Sequence, residues 1–213
     1  PLLSLKNQAA NRLLMKGISK LFGKEAIYFE TRNAFDYRLF EESFKINGWS
    51  YTSNLNVKLN IHNKDINELL SGMKYNRKRE IRISLDVGAI YSSCENEDNL
   101  RELYRILQNL YSENVKLPLP PFEFFSGIMY SSIGKIFIVE HNNNIIGGSV
   151  CLFLPGRKIY TMYYCGERNY NKKIFPAHLS ILAAIEFGEA QNLQTLDFMG
   201  AGKLIDNYWV RDF

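Results

Sequence analysis

The clearest pattern in the chain runs from residue 135 to residue 200. The apolar stretches KIFIVE, IIGGSVCLFL and KIYTMYYCG are separated by the turn-forming segments HNNN and PGR. Strands joined by such short polar turns predict an antiparallel meander. FPAHLSILAAIEFGEAQNL comes next and is apolar on nearly every side, which predicts a helix covered from several directions. TLDFMGAG then predicts a short strand running into glycines. A meander feeding a helix that returns beside a last strand fits neither a sandwich, a dinucleotide-binding α/β unit nor a bundle.

Upstream, Leu2, Leu5, Ala9, Leu13 and Ile18 predict a helix over 2–22 that stops at Gly23. AIYFE (26–30) predicts a strand, and Asn33 caps an expected helix over 34–47 with Phe35, Leu39, Phe40 and Phe44 on one stripe and Gly48 at its end. Polarity alternates over 50–60, with Tyr51, Leu55, Val57 and Leu59 on one parity and Asn54, Asn56, Lys58 and Asn60 on the other. That is a half-buried strand. A short helix over 64–71, begun by Asn63 and Asp65, precedes a basic helix over 73–86 and the brief strand GAIYS. Leu100, Leu103, Tyr104, Leu107, Leu110 and Tyr111 recur at helical spacing within 97–116. Pro118, Pro120 and Pro121 break that helix, and a shorter one is expected over 121–131. The helix-then-strand order of 34–60 echoes 175–198, which predicts two related subdomains with the first truncated. The expected boundary gives 1–72 as the end of a first subdomain and 73–213 as the second.

Composition narrows the classes. With 213 residues, 46% of them hydrophobic, the chain can bury a substantial core and is not a disordered segment. A net charge of +4 does not demand nucleic acid but suits a phosphorylated or polyanionic ligand. Cys94, Cys151 and Cys165 lie far apart without CxxC spacing, so reduced thiols are expected rather than a disulfide framework or a zinc site, and no metal is expected. No apolar run approaches the ~18 residues of a membrane-spanning helix. The chain starts at Pro1 and stops at Asp212-Phe213, as a fragment of a longer polypeptide would. It carries no GxxxxGK[ST] loop, GxSxG or HExxH, so the usual signals of phosphate-loop, serine-hydrolase and metalloprotease chemistry are missing.

Candidate chemistry lies in four places. On the basic helix, Lys74, Lys78 and Arg82 form one charged stripe, either a solvated face or an anion contact. Arg77 falls on the stripe of Met73, Ile81 and Leu85, which is expected to face the core. It is therefore a structural ion pair or a clamp for phosphate or carboxylate. In KIYTMYYCG, strict alternation puts Ile159, Thr161, Tyr163 and Cys165 on one face and Tyr160, Met162 and Tyr164 on the other. Tyr164, next to Gly166, is the candidate for a polar contact in a cleft. The helix beginning near Pro176 presents an N-terminus suited to an anion, with His178 and Glu186 as its polar intruders. Asp197 precedes glycines at a strand end, where it caps the loop's amides or orients a substrate amine.

Several stretches together resemble the FemAB-like branch of the GNAT acyltransferases, a branch that builds amino-acid bridges on cell-wall precursors or modifies surface polysaccharides. KYNRKREIRIS resembles its arginine-rich helix, and LYRILQNLYSENVKLPLPPFEFF its helix, proline break and phenylalanine pair. IVEHNNNIIGGSVCLFL resembles its glycine-rich strand, and FPAHLSILAAIEFGEAQNLQTLDFMGAG its final helix and strand end. The likeness covers 73–213 closely and 1–72 in element order only. It implies a GNAT-like α/β (α+β) fold, a mixed and largely antiparallel sheet flanked by helices, and a cytoplasmic acyltransferase, with the inner face of the membrane as an alternative place of work. The implied acceptor is an amine on a sugar- or peptide-based envelope precursor. Arg77, supported by Lys74 and Arg82, would hold an acceptor phosphate, Tyr164 would make a polar contact, and Asp197 would orient substrate. Acetyl-CoA-dependent members carry a glycine-containing loop before the helix, whereas RNYNKKIFPA holds no glycine. An aminoacyl-tRNA is thus the favoured donor and acyl-CoA the alternative, with no tightly bound cofactor. The other class to set against these is a non-enzymatic module binding RNA or anionic lipid through the 74–82 stripe. Family members also continue past WVRDF into a segment that lines the cleft.

Overall fold

The computed structural model describes residues 8–23, 30, 38–52, 55–200 and 202. The chain forms two compact units, Pro1–Ser53 and Asn54–Phe213. In the first, helix α1 (Gln8–Phe22) meets α2 (Glu41–Ile46), which is entered through a 3-10 turn at Arg38–Phe40. Met15 and Phe40 are buried, and Arg12 pairs with Glu42 at 3.1 Å. Gly48 closes α2 at φ +80°, a backbone state in which glycine has no Cβ to clash. The strand expected at 26–30 falls, apart from Glu30, outside the described residues, as does the Asn33 cap.

The second unit is built on six strands: β1 (Asn56–Asn60), β2 (Ile90–Ser93), β3 (Gly134–His141), β4 (Asn144–Leu154), β5 (Lys158–Gly166) and β6 (Thr195–Gly200). Their order is β1-β6-β5-β4-β3-β2. Every neighbouring pair is antiparallel except β5 with β6. This is the mixed, largely antiparallel sheet that the meander and the returning helix predict. Helices α3 (Ile66–Ser71), α4 (Tyr75–Asp86), α5 (Glu97–Leu110), α6 (Phe122–Met129) and α7 (Pro176–Ala190) flank it. β1 and α3, which element order assigns to a first subdomain ending at residue 72, are built into this second unit. β1 is the edge strand beside β6, and α3 packs on α7.

Helix α7 is the centre of one face. Leu179, Ile181 and Ala184 are fully buried: Ile181 and Ala184 share a cluster with Ile61, Ile159 and Leu196, and Leu179 shares one with Ile81, Val139 and Ile146. Each buried leucine or isoleucine contributes about 1.5–3 kcal/mol by leaving water, so the unit depends on this helix staying covered. The opposite face carries α5 and α6, whose Leu103, Leu107 and Phe125 meet Ile136, Ile138 and Val150. The helix expected over 97–116 is α-helical only to Leu110. It widens into a π turn at Tyr111–Val115 that ends on left-handed Lys116. The proline at 118 disfavours helix at the residue before it.

On α4 the inward stripe differs from expectation. Ile81 and Ser84 are buried, whereas Leu85 is 41% exposed. Helical geometry places residues four and seven after Arg77 on its face, and Leu85 lies one step past that stripe. Ser84 fills the inward place because its hydroxyl is used: it donates to Glu80 O at 2.7 Å and accepts the Phe175 amide at 2.9 Å.

Candidate functional site

Strands β5 and β6 touch only briefly. Lys158, Ile159 and Tyr160 pair with Thr195, Leu196 and Asp197, and the parallel ladder stops there. Beyond that point β5 pairs with β4 and β6 with β1. Both strands carry an irregularity just past the parting. In β5, Cys151 of β4 faces Thr161 and Val150 faces Tyr163, so Met162 is an extra residue. In β6, Lys58 of β1 faces Asp197 and Asn56 faces Gly200, leaving Phe198 and Met199 opposite Val57 alone. Met199 takes φ +65°, rare for a side-chain-bearing residue. A bulge bends its strand and re-aims the side chains beyond it, so two bulges at one level turn a continuous sheet into an opening.

The Met162 bulge also overturns the strict alternation expected of KIYTMYYCG. Ile159 packs in the α7 cluster, but Tyr163 and Cys165 pack in the α5 cluster and Tyr164 returns to the α7 side. One inserted residue reverses the parity of everything after it.

Asp197 sits where the strands part and is 1% exposed. Leu196 and Phe198 pack toward α7, so Asp197 faces the other side. Its Oδ1 accepts the Met199 amide at 2.9 Å and its Oδ2 accepts from Asn56 Nδ2 at 3.2 Å. Its carbonyl accepts from the buried Thr161 hydroxyl at 3.4 Å. The carboxylate thus holds the β6 bulge in its left-handed turn, as a loop-capping aspartate does, and remains beside β5. Tyr160 is its cross-strand neighbour there. Burial and then the Asp197 charge push the Tyr160 hydroxyl above its ordinary pKa, so that hydroxyl keeps its proton and is a donor. Neither Tyr160 nor Asn56 stands out in the sequence: the first is one aromatic of several, the second one of a row of asparagines.

The basic helix belongs to a separate cluster, at the first turn of α7. Arg77 Nη1 donates to Glu80 Oε2 at 2.6 Å, and His178 Nδ1 lies 3.3 Å from the same oxygen. Arg77 Nε is buried and has no hydrogen-bond acceptor among the described residues. Burial, then the Arg77 guanidinium, bring the His178 pKa down to about 4 against an opposing pull from Glu80. His178 is therefore neutral near pH 7, stacked 5.6 Å from Phe175. The same turn has most of its amides occupied by its own bonding. The Phe175 amide donates to Ser84 Oγ, Pro176 has no N–H, and the amides of His178 and Leu179 both donate to Phe175 O. A Cβ on Gly147 would lie 2.7 Å from Pro176 Cβ, and one on Gly166 would lie 3.1 Å from it. These two glycines let the helix start press onto the strands.

Of the residues singled out by sequence, Lys74 and Arg82 are exposed on α4, with Lys74 as its N-terminal cap residue. Tyr164 is half-buried against the α7 cluster, opposite Ser149 of β4. Glu186 accepts from Tyr91 Oη at 2.8 Å, and burial, then this bond, raise the tyrosine's pKa. Arg77 and Asp197 thus lie in two different clusters, one fastening α4 to α7 and one holding the strand opening. The three cysteines are buried free thiols, and burial pushes Cys151 and Cys165 up to about 12, far from a reactive thiolate. Among the described residues no group of His, Cys, Asp and Glu is arranged to hold a metal ion, and no helix is long and apolar enough to cross a membrane.

No family model matches the chain, and no curated protein matches it by sequence. Solved structures do. FemX superposes with a TM-score of 0.67 at 11% identity, over 96% of this chain and 71% of that one. The C-terminal domain of a candidate lysylphosphatidylglycerol synthetase from Agrobacterium fabrum gives 0.54 at 6% identity, over 70% of this chain and 47% of that one. L-PGS from Bacillus licheniformis gives 0.50 at 11% identity, over 72% and 46%. The chain thus spans about half the length of the last two. At these identities the likeness is one of fold, and the fold is shared with FemX over nearly the whole of this chain.

Proposed function

We propose that this chain is an N-acyltransferase that moves an aminoacyl or other activated acyl group onto an amine of a sugar- or peptide-based envelope precursor. The observation that carries the reading is the parting of β5 and β6 at Tyr160 and Asp197, with a bulge in each strand and a buried helix behind. Fold similarity to FemX supports it, as does similarity to a protein whose name denotes a lysyl group joined to phosphatidylglycerol.

The chemistry is attack of a neutral amine nitrogen on an ester or thioester carbonyl. The C–N bond forms as the carbonyl electrons move to oxygen. Collapse then breaks the bond to the leaving oxygen or sulfur, which takes the proton lost by nitrogen. A site for this reaction needs donors aimed at the developing oxyanion and a fixed approach for the amine. A bulged residue leaves its backbone group out of the ladder, and Met162 offers that beside the opening. The Tyr160 hydroxyl is a second donor, and Asp197 orients the amine. Lys74 and Arg82 are the proposed contacts for an acceptor phosphate, with Arg77 contributing the donors that Glu80 does not occupy, and Tyr164 is the proposed polar contact on the α7 side.

The donor proposed is aminoacyl-tRNA, used in the cytoplasm. Pyrophosphate binding at a helix start uses free amides, and the bonding of α7's first turn leaves at most that of Ala177. Transfer is tested by offering charged tRNA or acetyl-CoA with an amine-bearing nucleotide-linked sugar peptide, for the wild type and Tyr160→Phe. The reading expects product from charged tRNA and a kcat lowered about 10- to 100-fold in the variant with little change in KM. Product from acetyl-CoA alone assigns the CoA-dependent alternative. No product from either, with RNA or lipid affinity that collapses in salt, assigns the binding module.

A further inference from the structure

At the far end of β5 the structure holds a concavity of about 650 Å³, formed by α5, the β3–β4 turn and the loop after β5. That lies within the span of small-molecule sites, roughly 300–1,000 Å³. Asn99, Glu102 and Arg105 enter from α5, Glu140 from β3, Asn143 from the turn, Asn144 from the start of β4 and Glu167 from the loop. Its large apolar surfaces are Ile145 and the ring of Tyr170.

The walls are fixed before any ligand arrives. Val87 O lies 3.2 Å from His141 Nε2 and a carbonyl only accepts, so Nε2 carries the proton. His141 Nδ1 lies 2.9 Å from the Tyr170 hydroxyl, a contact that pins the loop after β5 to the hairpin. The Glu167 amide donates to Ile146 O at 2.7 Å. Asn142, Asn143 and Asn169 all adopt left-handed φ, giving tight turns without glycine's freedom. Arg105 spans Glu102 at 3.1 Å and Glu167 at 4.0 Å, tying helix to loop.

The chemistry of the walls selects the ligand. Side-chain amides and carboxylates pair with neighbouring hydroxyls of a sugar ring, and an aromatic ring offers a flat surface to its apolar face. Three carboxylates, Glu102, Glu140 and Glu167, face two guanidiniums, Arg105 and Arg168, so the concavity is acidic by one charge in a chain of net +4. It suits an ammonium-bearing ligand better than a phosphate. We infer that this concavity binds an amino-sugar chain, at the end of β5 away from the strand opening. If the chain is the transferase proposed above, the distance between the two places sets the acceptor's length. Met162 and Glu167 are separated by five residues of extended strand and strand end, about 16 Å. An acceptor seated here with its reacting amine at the opening must therefore be longer than one sugar ring.

Calorimetric titration with the β-1,4 glucosamine trimer tests this, with the N-acetylated trimer and inorganic phosphate as comparators. The expected result is saturable binding of the glucosamine trimer, at least tenfold tighter than the acetylated one, and none of phosphate. Glu167→Gln and, separately, Glu102→Gln should each weaken binding about tenfold with unchanged melting temperature. They should leave transfer to a single-ring amine acceptor intact. Absence of trimer binding, equal or tighter binding of phosphate, or undiminished binding in both variants overturns the inference. Binding is read without turnover, so saccharide binding with no transfer from any donor defeats the transferase reading alone, and transfer without saccharide binding defeats only this inference.

Discussion

Two clusters of polar groups, one half-buried and one buried, stand on the two sides of the sheet of the second unit, and they differ in what their charges do. At the start of α7, Arg77, Glu80 and His178 are occupied with one another and with fastening two helices. At the strand parting, Asp197 is occupied with a backbone bulge and Asn56, and it stands beside a protonated tyrosine where the strands leave each other. The first arrangement closes a seam and the second holds one open. A charge-rich helix is the more conspicuous feature in a sequence, yet its Arg77 is engaged in fastening α4 to α7.

The largest expected effect is on the opening. Asp197→Asn turns one acceptor into a donor facing the Met199 amide or Asn56 Nδ2. Transfer should fall on the order of 100-fold through misplacement, and stability by about 1–3 kcal/mol. A kinetic loss no larger than the stability loss explains would erase the contrast. Next is the seam. Gly147→Ala would push a Cβ to 2.6 Å from Cys165 O and 2.7 Å from Pro176 Cβ. Denaturant unfolding should show a loss of about 1–3 kcal/mol, whereas an unchanged midpoint would mean that α7 is not pressed onto the strands.

The third is a pH effect. Folded His178 stays neutral down to about 4, whereas in an unfolded chain a histidine protonates near 6.5. The unfolded state therefore binds the extra proton between those values, and stability falls as pH drops through that window, by up to about 3 kcal/mol. His178→Gln should flatten the slope of stability against pH there, and an unaltered slope would place the titrating group elsewhere. Smaller still, Arg77→Ala leaves Glu80 half-paired in a site about one-fifth to one-quarter exposed, which should cost about 1–2 kcal/mol after solvent screening. A rise in acceptor KM beyond what that stability loss explains would mark the phosphate contact proposed for the Arg77 donors that Glu80 leaves free. Exposed Lys74 and Arg82, each changed to alanine, should move stability by less than about 0.5 kcal/mol.

Much of the fold was legible because its signals are local. The short polar turns after 140 and 154 announced the meander. The all-round apolar character of 176–190 announced a helix covered from several sides, and Asp197 before glycines announced a capped strand end. The features that escaped are those that depend on pairing. A bulge is one residue too many against a partner, and nothing in TMYYC marks Met162 as that residue, since every side chain there suits a strand. Tyr160 was hidden for the same reason: its importance comes from standing beside Asp197, a relation set by register. Ser84 was hidden because a serine in a helix is ordinary until an amide from another segment arrives at its hydroxyl.

The five methionines allow the central claim to be read directly. Met162 and Met199 flank the strand parting, Met73 lies between the cores beneath α4 and α7, and Met129 packs under α5. Methyl NMR of methionine-labelled protein, recorded while adding an unreactive amide analogue of whichever donor supports transfer, reports on all of these places at once. The account predicts that Met162 and Met199 shift while Met73 and Met129 stay. Movement of Met73 with Met162 and Met199 unmoved would put the donor at the helix seam and contradict it.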